Sequence, residues 1–147
     1  MRQNPLTLEQ LIEDLTRGNV TEVKVVLASV VLALAAYQLL LAGVVYGRVR
    51  LPFLSPEAAA WTHRATGRVI VVLVAVVATM CLAFYGFEEG GIHAVAGLVV
   101  LGVLAVKVLV VRLGRLGRLL PVLGVSLAAL LTIVWLTSAG DFLGVSG

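Results

Sequence analysis

The sequence predicts an all-α integral membrane protein, a four-helix antiparallel bundle preceded by a short amphipathic surface helix. Hydrophobic residues make up 61% of its 147 residues, and the mean hydropathy is +1.09. Soluble domains contain roughly 45–50% apolar residues. A membrane-spanning helix needs about 20 apolar residues, so the chain holds four or five spans. Little remains outside them, which excludes a large soluble catalytic domain.

Polar residues at the start of the chain predict the surface helix, which we assign to residues 1–21. Thr7 and Gln10 stand in the Thr-x-x-Gln pattern of a capping box, which satisfies backbone N–H groups at a helix start. The next residues place four apolar side chains on one helical face: Leu8, Leu11, Ile12 and Leu15. A helix of this kind lies along the membrane surface with its apolar face in the headgroup zone.

Four apolar runs predict the bundle itself, which we assign to residues 22–142, followed by a tail at residues 143–147. The predicted spans are 25–46, 61–86, 92–111 and 119–137. The link GFEEGG between the second and third spans is too short for anything but a tight turn between antiparallel helices. We therefore expect a helical hairpin from Trp61 to Arg112, and it contains both histidines and the single cysteine.

The distribution of charge predicts the orientation of the bundle. One end carries eight basic residues against one acidic residue, whereas the other carries three basic against seven acidic residues. The positive-inside rule places the basic end in the cytoplasm, with both termini outside. Because the basic residues flank apolar runs, the net charge of +3 reflects topology and does not indicate a nucleic-acid partner.

Motifs for most enzyme chemistry are missing from the sequence. It contains no glycine-rich phosphate loop, no Cys-x-x-Cys pair and no nucleophile beside a base. No carboxylate lies deep within a span, so a coupled-ion transporter has no obvious ionisable residue to use. These absences favour a redox carrier or a subunit over a stand-alone enzyme, and they leave the histidines as the residues that indicate chemistry.

The histidines make heme a candidate cofactor, because imidazole is a common axial ligand of heme iron; the alternative is that no cofactor binds. His63 and His93 begin antiparallel helices, so they lie tens of ångströms apart and cannot share one heme within a monomer. Met80 is expected at a depth similar to that of His93, and His/Met ligation is an established arrangement. His63 serves a second site only by pairing across a homodimer. The alternatives are a core-filling Met80 and interfacial histidines.

Two further polar residues are candidates for contacts with a cofactor. Gln38 is the strongly polar side chain of the first span, and an interhelical hydrogen bond is its favoured role. Contact with the edge of a cofactor or with a quinone is the alternative. Arg64, beside His63, is a candidate partner for a heme propionate.

Four segments resemble a family of small bacterial four-helix membrane proteins: THRATGR, IHAVAG, VKVLVVR and WLTSA. The resemblance covers residues 25–142, and that family is in turn distantly similar to the heme-binding bundles of the cytochrome b561 and ferric reductase type. His63 and His93 match histidines of the family pattern. A third histidine of the pattern, followed by cysteine, is replaced here by Met80-Cys81. The resemblance thus implies heme binding but removes one expected ligand.

The leading functional prediction is a b-type cytochrome-like subunit of the bacterial plasma membrane. It would hold heme b near the outer face and exchange electrons with a quinone or a partner redox protein. The alternative is a cofactor-free scaffold that docks a larger complex through stripes of small residues. A small-solute transporter is the weaker third hypothesis. The stripes consist of Ala75, Thr79 and Ala83 on the second span and Gly124, Ala128 and Thr132 on the fourth.

Overall fold

The computed structural model describes residues 7–85, 91–114, 116–138 and 144, and its described part is helical with connecting turns and loops. Four helices are long and apolar enough to cross a membrane, which confirms the predicted all-α membrane bundle. The helices are α1 (Leu8–Thr16), α2 (Val20–Val45), α3 (Pro56–Tyr85), α4 (Gly91–Leu113) and α5 (Leu120–Ser138), with one 3₁₀ turn at Gly117–Leu119. The predicted GFEEGG turn and the tail lie almost entirely outside the described residues.

Helix α1 begins with the predicted capping box. The Gln10 amide N–H donates to the Thr7 hydroxyl at 3.3 Å, and the Thr7 amide N–H donates to Gln10 Oε1 at 3.2 Å. The helix ends where Arg17 adopts a left-handed conformation with φ 52°. Helix α1 packs on α2 and α3. Of the four apolar residues on its predicted face, Ile12 is buried. The other three remain exposed: Leu8, Leu11 and Leu15.

One apolar core joins all four long helices. Each helix contributes two buried residues to it, spaced four positions apart so that both lie on the same helical face. The core residues are Val31 and Ala35, Ile70 and Val74, Val100 and Leu104, and Leu127 and Leu131. A smaller cluster of Leu41, Val44 and Ala59 lies where the loop after α2 folds back.

The helices pack in the order α3–α2–α5–α4. Helix α3 pairs with α2 and helix α4 with α5, while α2 and α5 pack together in the middle. Within the described residues, the consecutive helices α3 and α4 do not form a closely packed pair. At one end of the bundle a gap lies between them, bordered also by α2 and α5.

A polar contact holds α2 against α3. Gln38 Nε2 donates to the His63 carbonyl oxygen at 2.8 Å and to the Thr66 hydroxyl oxygen. Thr66 accepts because its own proton goes to the Thr62 carbonyl oxygen at 2.8 Å. This arrangement confirms the favoured interhelical role of Gln38. A second contact, from Trp135 Nε1 to Ser29 Oγ at 2.9 Å, ties α5 to α2.

Removing the Thr66 hydroxyl tests how much this contact stabilises the bundle. We expect Thr66→Val to lower the free energy of unfolding by about 0.6 kcal/mol, the average for interhelical hydrogen bonds in membranes. Thr79→Val is the matched control, because the exposed Thr79 hydroxyl bonds the Ala75 carbonyl of its own helix. Unfolding in mixed micelles of increasing denaturing detergent measures both variants. Equal losses would show that Gln38 contributes nothing through Thr66.

Candidate functional site

The two ends of the bundle differ, and each contains one histidine. The His93 end comprises the start of α2, the end of α3, the start of α4 and the end of α5. The His63 end comprises the opposite termini of these helices and the loop after α2. His63 and His93 therefore lie at opposite ends, where the sequence placed them, and the structure does not bring them together.

A cleft of about 540 Å³ opens between α3 and α4 at the His93 end, with α2 and α5 forming its floor. Its volume lies within the range of about 300–1,000 Å³ typical of ligand pockets. Valine, leucine, alanine and glycine residues form most of its walls. The few polar groups collect near the membrane surface: Lys24, Cys81, His93, Thr137 and Ser138. The cleft thus combines an apolar interior with a polar end, which we call its head and which these five residues form.

His93 contacts helix α5 through one nitrogen of its ring. His93 Nδ1 lies 3.2 Å from the Thr137 hydroxyl oxygen. The Thr137 hydroxyl also lies within hydrogen-bond distance of the Ile133 and Val134 carbonyl oxygens of its own helix, at 3.0 and 3.1 Å. When the hydroxyl donates to one of these carbonyls, it accepts from His93, and the neutral ring then carries its proton on Nδ1 and a lone pair on Nε2. The opposite tautomer reverses both roles.

Lys24 adds a positive charge to the head of the cleft. Its side chain is only 9% exposed, and it lies within electrostatic reach of both His93 and Cys81. The predicted first span begins at residue 25, so the sequence gives Lys24 only a position at its flank. Its spacing from Ala28 and Val31, at i+4 and i+7, is the sequence signal that places it on the face lining the cleft.

Met80 is not among the residues that line the cleft, although its neighbour Cys81 is. Met80 is 5% exposed and lies on a packed side of α3. Consecutive residues of a helix point about 100° apart, so similar depth along the membrane did not ensure a shared face. The structure does not place Met80 beside His93. Within the described residues, no group of three or more His, Cys, Asp or Glu side chains forms a metal site.

The other predicted site residues lie at the His63 end. Gln38 is held by its contacts with α3, and Arg64 lies on the exposed side of that helix. His63 and Arg64 border a recess of about 160 Å³ between α2 and α3. Neither Gln38 nor Arg64 reaches the cleft, so the expected contact with a propionate does not apply to a ligand at His93.

Comparison with known proteins identifies a family but no activity. Residues 9–147 match a family described as "Family of unknown function (DUF6529)". No curated protein and no solved structure matches the chain. None of these comparisons links it to the cytochrome b561 or ferric reductase bundles.

Access to the cleft can be measured at Cys81, the single cysteine of the chain. We expect an apolar maleimide to label it in detergent and Gly97→Trp to slow labelling several-fold, because Gly97 lines the cleft with open space at its Cβ position. Gly102→Trp is the matched control, since Gly102 has similar open space on the same helix but does not line the cleft. Equal rates in both variants would contradict the described cleft.

Proposed function

The chain belongs to the DUF6529 family of unknown function, and from the geometry of the His93 end we propose that it is a small membrane protein that binds heme b in the cleft and transfers electrons there. The observation that carries the proposal is the His93–Thr137 hydrogen bond. Histidines that ligate metals usually donate their other ring N–H to an oxygen, which fixes the tautomer and the ring orientation. His93 Nδ1 lies 3.2 Å from the Thr137 hydroxyl oxygen, which can accept such a bond, and His93 lines the cleft.

The residues of the cleft fit a heme in three respects. The cleft is large enough for a cofactor and mostly apolar, as a porphyrin requires. His93 Nε2 offers a lone pair for axial ligation. Lys24 offers a positive charge at the head of the cleft, where a propionate carboxylate would lie.

The facing wall offers a different second ligand from the one expected. Among the cleft residues contributed by α3, Cys81 is the one with a side-chain atom able to ligate iron. Met80 would face the cleft and serve as the second ligand only if helix α3 rotated about its own axis. Bound heme would supply one-electron chemistry, and the protein would set its potential through axial ligation and burial. Thr137 would orient His93, and the apolar walls would exclude water.

The electron partners follow from the position of the cleft. By the positive-inside rule, the His93 end faces outward in the plasma membrane and the basic His63 end faces the cytoplasm. A lipid-soluble quinone would reach the cleft between α3 and α4 from the outer leaflet. A redox protein outside the membrane is the other partner class.

A second candidate function, a cofactor-free scaffold, is favoured by the outward position of the small-residue stripes. Ala75 and Thr79 are exposed on α3, and nothing lies within 4 Å of the Cβ position of Gly124 on α5. These faces allow close approach by helices of another chain or of a second copy.

A reduced-minus-oxidised visible spectrum of the detergent-purified protein, with heme supplied during expression, tests the electron-transfer function. We expect the sharp bands of a b-type cytochrome. His93→Ala should abolish them because it removes the axial ligand. His63→Ala, at the opposite end, should leave them unchanged. A flat spectrum of the unmodified protein would overturn the proposal and favour the scaffold.

The role of Thr137 gives a finer test. We expect Thr137→Val to weaken heme binding about tenfold, the lower end of the effect for groups that orient a metal ligand. Thr132→Val is the matched control, because Thr132 bonds the Ala128 carbonyl in the same way but has no contact with His93. Heme titration of the heme-free protein measures both affinities. Indistinguishable affinities would show that the hydrogen bond to His93 does not tune the ligand.

A further inference from the structure

The recess at the His63 end has a composition different from that of the cleft. It lies between the last turns of α2 and the first turns of α3, and it measures about 160 Å³. Alanine and valine form its floor, and three polar side chains form its rim. The lining residues are Ala42, Val45, Tyr46, Ala60, His63 and Arg64. The recess therefore meets lipid where acyl chains give way to headgroups, as the exposed Tyr46 and Trp61 indicate.

The His63 ring offers a hydrogen-bond donor to this recess. Its Nδ1 is buried and has no hydrogen-bond partner within the described residues. A buried N–H without an acceptor is rarer and costlier than a buried lone pair, so the proton of the neutral ring belongs on Nε2. Since Nδ1 has no accessible surface, Nε2 is the ring nitrogen left to meet a ligand in the recess.

The charge around the recess is strongly positive. Arg64 borders it, and Lys107 lies within electrostatic reach of His63. Among the described residues at this end, Glu57 is the single acidic side chain. The remaining basic residues described at this end are Arg48, Arg50, Arg68, Arg112 and Arg118.

We propose that this recess binds the headgroup of an anionic phospholipid of the cytoplasmic leaflet. The His63 N–H and the Arg64 guanidinium are donors, and a phosphate diester offers only acceptors and a negative charge. The apolar floor accommodates the start of an acyl chain. Basic pockets between membrane helices on the cytoplasmic side bind such headgroups. The proposal is independent of heme binding at the other end.

Quenching of Trp61 fluorescence by brominated lipid tests the proposal. Trp61 is exposed and lies one turn before Arg64, and Trp135→Phe leaves it as the single tryptophan. In vesicles containing a fixed fraction of brominated lipid, we expect brominated phosphatidylglycerol to bind beside Trp61 about fivefold more strongly than brominated phosphatidylcholine. Fivefold corresponds to roughly 1 kcal/mol, typical of one cationic side chain at an anionic surface.

Substitutions at the rim of the recess distinguish lipid binding in the recess from general attraction by the basic surface. Arg64→Gln should abolish the preference and Arg64→Lys should largely retain it. Arg68→Gln is the matched control, since Arg68 is an exposed arginine one turn further along α3 that does not border the recess. Native mass spectrometry of the wild-type chain, counting bound phosphatidylglycerol, repeats the comparison without the tryptophan substitution.

Three results would overturn the proposal. Equal quenching by the two lipids would show no headgroup selection. An equal loss in Arg68→Gln and Arg64→Gln would show selection by surface charge alone. Loss of the preference on adding inorganic phosphate, at an ionic strength matched with chloride, would show a site for free phosphate and not for a lipid.

Discussion

The pairing of α2 with α3 determines where the open surfaces of this protein lie. In lipid, apolar side chains gain little by associating with one another, so close packing and interhelical hydrogen bonds select which helices pair. Gln38 supplies such bonds to His63 and Thr66. Because α3 packs on α2 and α4 packs on α5, α3 and α4 do not form a closely packed pair within the described residues, and the cleft lies between them. The cleft is a consequence of that choice of partners.

The two histidines differ in the surroundings of their Nδ1 atoms. At the His93 end, Nδ1 lies 3.2 Å from the Thr137 hydroxyl oxygen. At the His63 end, Nδ1 is buried without a partner in the described part of the chain. The two proposals assign the rings opposite tautomers: a lone pair on His93 Nε2 would suit a metal, and an N–H on His63 Nε2 would suit an anion.

Sequence alone predicted the helices and their number, because hydropathy and span length are properties of a single segment. It also predicted the polar contact of Gln38, since a lone amide among apolar residues must find a partner in another helix. It did not predict the azimuth of each helix. Met80 and Cys81 are adjacent in sequence, yet only Cys81 lines the cleft. The position of Lys24 in the cleft was not predicted for the same reason. A place at the flank of a span indicates the depth of a residue in the membrane but not the helical face on which it lies.

The apolar walls of the cleft contribute little to selecting a ligand. An apolar surface that faces acyl chains is already in an apolar solvent, so filling it with another apolar molecule gains far less than the same burial from water. Affinity must therefore come from the polar head, where His93 offers a lone pair and Lys24 a positive charge. A lone pair on His93 Nε2 would suit the iron of the proposed heme, whereas a quinone carbonyl would require a proton on that nitrogen.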